Sequence, residues 1–285
     1  MKKFIIFLIV VLLPMMANAD SNGQCGDMVT YNYVDSTRTL TISGEGDMSY
    51  VEAPWEAYKN DIETVIINEG VTSIKDYGFY GCGFTTISIP NSVTSIGEGA
   101  FVSCNRLDSI TIPNSVISIG EGLFLECVGL SSVSLPDSIT SIGSYTFYRC
   151  KNLTSIIIPD SVTSIGTYAF GGCSSLQDVY CHIKTVPATD SLAFDESNIT
   201  NATLYIPEVA LTDYQTTSPW SEFGKFETLP EDNPDPTGII TPQTLESEYP
   251  VGIYTIDGRR ISETKRGLNI IRMGNGRSKK VFIKR

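Results

Sequence analysis

Histidine occurs once in this 285-residue chain, at His182. Any Ser-His-Asp triad, Cys-His pair or imidazole metal site would have to use that residue. It lies in Tyr180-Cys181-His182-Ile183, where adjacency in sequence supplies neither a pocket nor a positioned nucleophile, and it reads as an ordinary cap residue. None of the seven cysteines has a partner at C-x-x-C spacing, so a thiolate metal cluster is not expected. The glycine-flanked segments Gly44-Glu45-Gly46, Gly97-Glu98-Gly99 and Gly120-Glu121-Gly122 lack the lysine of a phosphate loop and the full dinucleotide fingerprint. Catalytic residues, metal ligands and cofactor are accordingly expected to be absent, and the chain is read as a non-enzyme.

Basic residues are also scarce, with 20 Lys/Arg against 32 Asp/Glu and a formal net charge of −12. The imbalance is uneven. Residues 20–245 hold eight basic against 28 acidic side chains, while residues 246–285 hold ten against four. An acidic body argues against nucleic acid or anionic membrane as a partner, since phosphate binding needs clustered Lys/Arg. The basic end marks a separate unit. Long apolar runs are missing as well. The run Phe4–Met16 follows Lys2 and Lys3 and precedes Ala17-Asn18-Ala19, the pattern of a secretory signal peptide over residues 1–19. It is short for a membrane span, and no later segment is long enough, so no membrane-spanning segment is expected in the mature chain.

What the sequence has in abundance is repetition. Residues 84–106, 107–129, 130–152 and 153–175 align without a gap, and residues 62–83 form the same unit one residue shorter. Ile87, Ile110, Val133 and Ile156 alternate with small polar residues and then Ile89, Ile112, Leu135 and Ile158, the period of a strand with one face buried. Pro90, Pro113, Pro136 and Pro159 end each strand. A Val/Ile pair follows in each SVTSIG-like run, and then a Phe column (Phe79, Phe101, Phe124, Phe147, Phe170) and a Cys column (Cys82, Cys104, Cys127, Cys150, Cys173). One such turn cannot bury its own apolar side, whereas stacked copies can. The fold expected is a repeat solenoid of short parallel β-strands, mostly β and loop. Thiols stacked one per coil would stand ~4.8 Å apart with parallel Cβ vectors, beyond disulfide reach, and read as buried apolar groups.

The ends of the solenoid need covers. Residues 20–61 read as an N-terminal cap, with a hairpin of Val29–Tyr33 and Thr39–Ser43 and a short helix over Glu56–Asn60 after Pro54-Trp55. Residues 176–229 read as a degenerate repeat and C-terminal cap, with a last strand at Thr203–Ile206, a short helix over Glu208–Tyr214, and Trp220, Phe223 and Phe226 as a plug. The composition of residues 230–245 is that of an extended linker. In residues 246–285, Asp257-Gly258 and Gly274-Asn275-Gly276 each separate two strand-like runs, the signal of paired hairpins in a small antiparallel β module.

The unit LxxIxIPxSVTSIGxxAFxxCxx resembles the BspA-like class of bacterial leucine-rich repeats over roughly residues 25–229, five near-identical copies making the motif specific. C-G-D-M-V-T at residue 25 and ATLYIPEVALTDYQTTSPWSEF are similar to that class's usual entry and exit segments. The resemblance implies a surface protein of a host-associated bacterium, in a class where several members are adhesins. The tail, with Y-T-I-D-G-R-R-I, K-R-G-L-N-I-I and K-K-V-F-I-K-R, resembles the C-terminal sorting domain of type IX secretion, with Asn269 where such domains usually carry an aromatic residue. That resemblance implies the secretion machinery as a partner through residues 246–285, and the outer face of a Gram-negative cell as the destination.

On the solenoid itself, the outward positions Thr86, Ser109, Ser132, Ser155 and Ser88, Thr111, Ser134 form a neutral ladder suited to solubility. Tyr145 and Tyr168 share one repeat column, while Tyr80, Leu125 and Tyr148 share another with Arg149 beside it. Tyr and Arg are enriched in interface hot spots, so these six residues are the candidate protein- or glycan-binding set. Packing against the coil is the competing use. The function expected is an adhesin or ligand-binding module for a host matrix or surface protein or glycan. A structural surface coat without a specific ligand is the second reading, and a carbohydrate-active enzyme the third.

Overall fold

The computed structural model describes residues 20–50 and 52–229, and four tail strands at 250–255, 260–261, 267–273 and 278–283. The signal-like segment 1–19, the linker 230–245 and the tail turns around Asp257-Gly258 and Gly274-Asn275-Gly276 lie outside the described residues.

The chain winds into a parallel β-solenoid whose coils have three walls. The first wall is built from strands such as Thr64–Ile67, Thr86–Ser88, Ser109–Thr111, Ser132–Ser134, Ser155–Ile158 and Asp178–Cys181. Their registers are parallel, Thr64 facing Thr86, Ser109 facing Ser132 and Ser155 facing Asp178. Alternation decides which face goes in: Ile110, Val133 and Ile156 are buried while Ser109 and Thr111 are exposed. Beyond the turn that ends each first-wall strand, strands of two to four residues form the second wall, with Ile74 beside Ile96, Ile96 beside Ile119 and Ile142 beside Ile165.

The third wall is not a strand, yet its backbone still bonds from coil to coil. Phe79 N–H donates to Ala100 O, Phe101 to Leu123 O, Phe124 to Thr146 O and Phe147 to Ala169 O. Each Phe side chain points inward and stacks on the next. Neighbouring rings along Phe79, Phe101, Phe124, Phe147, Phe170 and Phe194 have centroids 5.2–5.8 Å apart and lie within 17° of parallel. The thiols follow the same beat. Cys104, Cys127, Cys150 and Cys173 donate S–H to the carbonyls of Phe79, Phe101, Phe124 and Phe147, one coil earlier, at 2.9–3.2 Å. All seven cysteines are buried and unpaired.

Tryptophans close the aromatic column at both ends. Trp55 stacks on Phe79 at 5.5 Å, and Trp220 meets Phe194 edge-on at 5.2 Å. Both are fully buried and cover the ends of the core. The N-terminal cap carries the expected hairpin of Val29–Val34 and Thr39–Gly44, extended by an edge strand, Ser21–Gln24, that composition did not reveal. At the other end the strand Thr203–Pro207 is not the last. Lys225–Leu229 pairs parallel to it, so Phe226 belongs to a strand while Trp220 and Phe223 do the plugging. The degenerate sixth unit is a complete coil, pairing Ala188–Thr189 with Ser164–Ile165. The expected helices are a 3-10 turn at Glu56–Tyr58 and a 3-10 turn plus an α-helix over Glu208–Ala210 and Leu211–Thr216. The tail strands form an antiparallel sheet, Ile253 facing Ile261, Tyr254 facing Ile270 and Ile270 facing Lys280.

Two predictions follow from this packing. Phe124→Ala removes a ring held between two stacked neighbours, and should lower unfolding stability by roughly 3–5 kcal/mol in urea denaturation, because the flanking coils cannot collapse into the gap. The second concerns the thiols. Burial pushes Cys82, Cys127 and Cys173 from an ordinary 9.0 up to about 12. Between those two pH values the unfolded chain has released protons that the fold retains, so stability is intact below pH 9 and falls as pH climbs toward 12. The fall should be shallower in Cys127→Ala, measured as urea midpoints at pH 8 and pH 10. An equal fall in both proteins would refute the thiol origin.

Candidate partner-binding surface

The third wall makes its turns with left-handed backbone. In the five coils from Phe79 to Phe170, two positions, one on either side of the inward Phe, have φ near +60°; the sixth, around Phe194, keeps only the second, at Glu196. The first is Tyr77, Gly99, Gly122, Tyr145 and Tyr168 in successive coils, and the second is Gly81, Ser103, Glu126, Arg149 and Gly172. Glycine adopts this geometry freely, while a side chain with a Cβ does so at a cost of about 1–2 kcal/mol. Two of the five coils use glycine at the first position. Three use tyrosine, a bulky residue in the conformation it tolerates poorly, at φ 53°, 59° and 53° for Tyr77, Tyr145 and Tyr168.

Those backbones project the tyrosines outward. Tyr145 and Tyr168 stack at 5.6 Å, and Tyr148 meets both edge-on at 5.7 Å. Gly171 makes the arrangement fit, since a Cβ there would press on the rings of both Tyr148 and Tyr168. The Arg149 guanidinium lies 5.0 Å from the Tyr148 ring centre, and donates to Glu126 on the preceding coil at 3.1 Å. Tyr145 is 42% exposed, so a substantial ring area faces solvent. The Tyr168 hydroxyl is pushed above its ordinary value, first by desolvation and then by the nearby Asp195 carboxylate.

The six candidate residues divide between two places. Tyr145, Tyr148, Tyr168 and Arg149 form one cluster across two coils. Leu125, half-buried, stands one coil before Tyr148 in the same column, joined by the Glu126 N–H to Tyr148 O bond. Tyr80 is three coils before Tyr148, about 14 Å at the spacing of a parallel ladder. It belongs to another group, beside Lys59, Tyr77 and Tyr50. The sequence missed Tyr50, Tyr77 and Lys59. Tyr77 falls in the shortened first unit, though alignment by its Phe would have put it in the Tyr145 column.

Asp76, Glu98 and Glu121 each stand three residues before the inward Phe of their coil, and this acidic column is internally occupied. Asp76 accepts the Glu98 N–H at 2.8 Å, Glu98 accepts the Tyr77 hydroxyl at 2.6 Å, and Glu121 is approached by Ser144 at 3.4 Å. Among the described residues no group of three or more His, Cys, Asp or Glu side chains is arranged to hold a metal. No helix among them is long and apolar enough to cross a membrane.

A family model described as BspA type Leucine rich repeat region (6 copies) matches residues 56–177 and, in a second, overlapping match, 100–212. No match was found among curated proteins. Among solved structures, a leucine-rich repeat protein from Eubacterium ventriosum ATCC 27560 is 19% identical, the match covering 74% of this chain and 85% of that one at a TM-score of 0.31. A leucine-rich repeat protein from Bacteroides ovatus ATCC 8483 is 19% identical over 72% of this chain and 76% of that one, with a TM-score of 0.34. A leucine rich cell surface protein from Faecalibacterium prausnitzii A2-165 is 22% identical over 62% and 63%, with a TM-score of 0.30. At these scores the three likenesses carry no functional weight.

The strained tyrosines make a stability prediction. Tyr145→Gly removes the ring and the backbone penalty together, whereas Tyr145→Ala removes the ring and keeps most of the penalty. The glycine variant should be the more stable by about 1 kcal/mol in urea denaturation. Equal stability would mean that the left-handed turn is not strained by a side chain.

Proposed function

Because the chain belongs to the BspA-type leucine-rich-repeat family, we propose that it is an exported, non-enzymatic cell-surface protein that binds a partner protein through Tyr145, Tyr148, Tyr168 and Arg149. One observation carries this reading. Tyr145 and Tyr168 occupy backbone positions that favour glycine, and they stack on the outside of the coil, Tyr145 exposed and Tyr168 half-buried, instead of filling a core. Backbone strain of this kind, retained where glycine is the easier choice, argues for a use beyond folding. Three rings braced on one another offer a large amphipathic area with little side-chain entropy left to lose, and Arg149 adds a cation beside them. This is the composition of an interface hot spot. Export is supported by the signal-like pattern of residues 1–19, and the basic tail of residues 246–285 serves as the sorting element in this reading.

The test is binding of the full chain to immobilised host extracellular-matrix proteins, with a Tyr145→Gly, Tyr168→Gly, Arg149→Ala variant beside it, both checked by circular dichroism. Saturable binding by the parent, weakened about thirtyfold or more in the variant, is the expected result. Binding that survives the substitutions would move the site elsewhere on the solenoid. If the parent binds no protein of the panel, the surface-coat reading takes its place.

A further inference from the structure

A second built surface lies at the N-terminal end of the third wall, where the cap meets the first coil. A cavity of about 450 Å³ opens there, with Tyr50, Trp55, Tyr77 and Tyr80 among its lining residues. Its volume lies within the range of small-molecule sites, and four aromatic side chains share its lining with five charged ones. Tyr77 and Tyr80 are 48% and 49% exposed, each leaving ring area to solvent, while Trp55 is fully buried beneath.

The rings are held in place. Tyr77 donates its hydroxyl to Glu98 on the next coil at 2.6 Å, and the absence of a side chain at Gly99 leaves room for the Tyr77 ring against that coil. Tyr50 donates to the carbonyl of Gly78 at 3.0 Å, as does the Trp55 indole at 3.2 Å. Like Tyr145 and Tyr168, Tyr77 occupies the left-handed position that glycine fills in the two coils that follow. The aromatic floor is thus rigid before any ligand arrives.

Charge around the floor is nearly balanced and partly engaged. The Lys59 ammonium sits 5.3 Å from the Tyr80 ring centre and 2.7 Å from a Glu56 carboxylate oxygen, and the Lys75 ammonium sits 5.0 Å from the Tyr50 ring centre. Glu52 and Asp76 complete the charged rim. An anionic ligand would meet three carboxylates. A cationic one would compete with two ammonium groups already placed over the rings. A neutral ligand bearing hydroxyls on an apolar frame meets neither obstacle. It could lay its C–H face on Tyr77 and Tyr80, donate to the carboxylates and accept from the lysines.

We propose that this cavity is a glycan-binding subsite, taking one or two residues of a neutral sugar chain against Tyr77 and Tyr80. It is separate from the Tyr145 cluster, and does not depend on the protein-binding role proposed for that cluster.

The full chain would be titrated calorimetrically with neutral hexasaccharides of glucose, mannose, N-acetylglucosamine and xylose. Sialyllactose and hexalysine serve as anionic and cationic probes. Saturable binding of at least one neutral hexasaccharide is expected, and neither charged probe should bind more tightly. Tyr77→Gly, which suits the left-handed turn, should weaken that binding by about tenfold or more, as should Tyr80→Ser. Ile117→Ser, at a site 68% exposed and away from the cavity, should leave it unchanged, and circular dichroism shows whether each variant is folded. The proposal fails if no neutral hexasaccharide binds, if a charged probe binds more tightly, or if binding survives in folded Tyr77→Gly and Tyr80→Ser.

Discussion

A coil that returns to the same place every twenty-three residues gives each side chain its own kind as neighbour, about 4.8 Å along the axis. The structure depends on this constraint. It rewards residues that stack on copies of themselves and penalises anything that cannot. Flat rings satisfy it well, and the Phe column runs unbroken from Phe79 to Phe194. Thiols satisfy it by a different route. Cys104, Cys127, Cys150 and Cys173 each donate to the Phe carbonyl one coil back, adding a second hydrogen bond to an oxygen that already accepts the backbone N–H three residues on, and so tie neighbouring coils together. The same spacing holds successive thiols parallel and too far apart for a relaxed disulfide. Burial keeps them protonated, so they are poor nucleophiles for exchange. The cysteine column can therefore persist as thiols, protected by geometry and not only by a reducing environment.

Much of the solenoid was legible because each column repeats the same physical demand. Alternation in S-I-T-I and S-V-S-L gave the first wall, the proline its end, and Phe and Cys the inward side of the third wall. Reading stopped where the period slipped. From Phe170 to Phe194 the interval is one residue longer than the repeat, so the sixth coil looked degenerate although its ring stacks like the others. Lys225–Leu229 was hidden for a related reason. An aromatic residue there could equally plug an end or line a strand, and no repeat column arbitrated between them. Ser21–Gln24 carries no apolar alternation, because it pairs at an edge and buries little.

The candidate surface was only partly legible. Column alignment brought Tyr145 beside Tyr168, and Tyr148 beside Arg149, as the structure does. It also grouped Tyr80 with them, since sharing a column says nothing about distance along the axis. Tyr80 stands coils away and takes its neighbours from the cap, whose residues belong to no repeat. The gap-free alignment puts Gly99 and Gly122 in the column of Tyr145 and Tyr168, but nothing in the sequence signalled that this column turns left-handed. That emerges only from the backbone angles, which show two columns of positive φ where the sequence displays a mixture of Gly, Ser, Glu, Arg and Tyr.

Specificity in such a molecule can reside only where the repeats disagree. The outward Ser/Thr ladder of the first wall is nearly uniform from coil to coil, and a uniform surface offers every ligand the same weak contacts in several registers. Its neutrality and small side chains keep the strands soluble without selecting a partner. The inward columns are equally uniform, and a change there costs stability in both neighbouring coils. The outward side of the third wall is different. Its backbone bonds are made whatever the side chain, so the left-handed positions can hold glycine in one coil and tyrosine in the next at a penalty of about 1–2 kcal/mol. Tyrosine appears near the cap and again at Tyr145 and Tyr168, with Gly99 and Gly122 leaving the wall low between them. A regular scaffold thereby carries two irregular, preorganised aromatic surfaces, each bounded by its own charges. The regular columns provide the stability that lets these positions depart from the repeat.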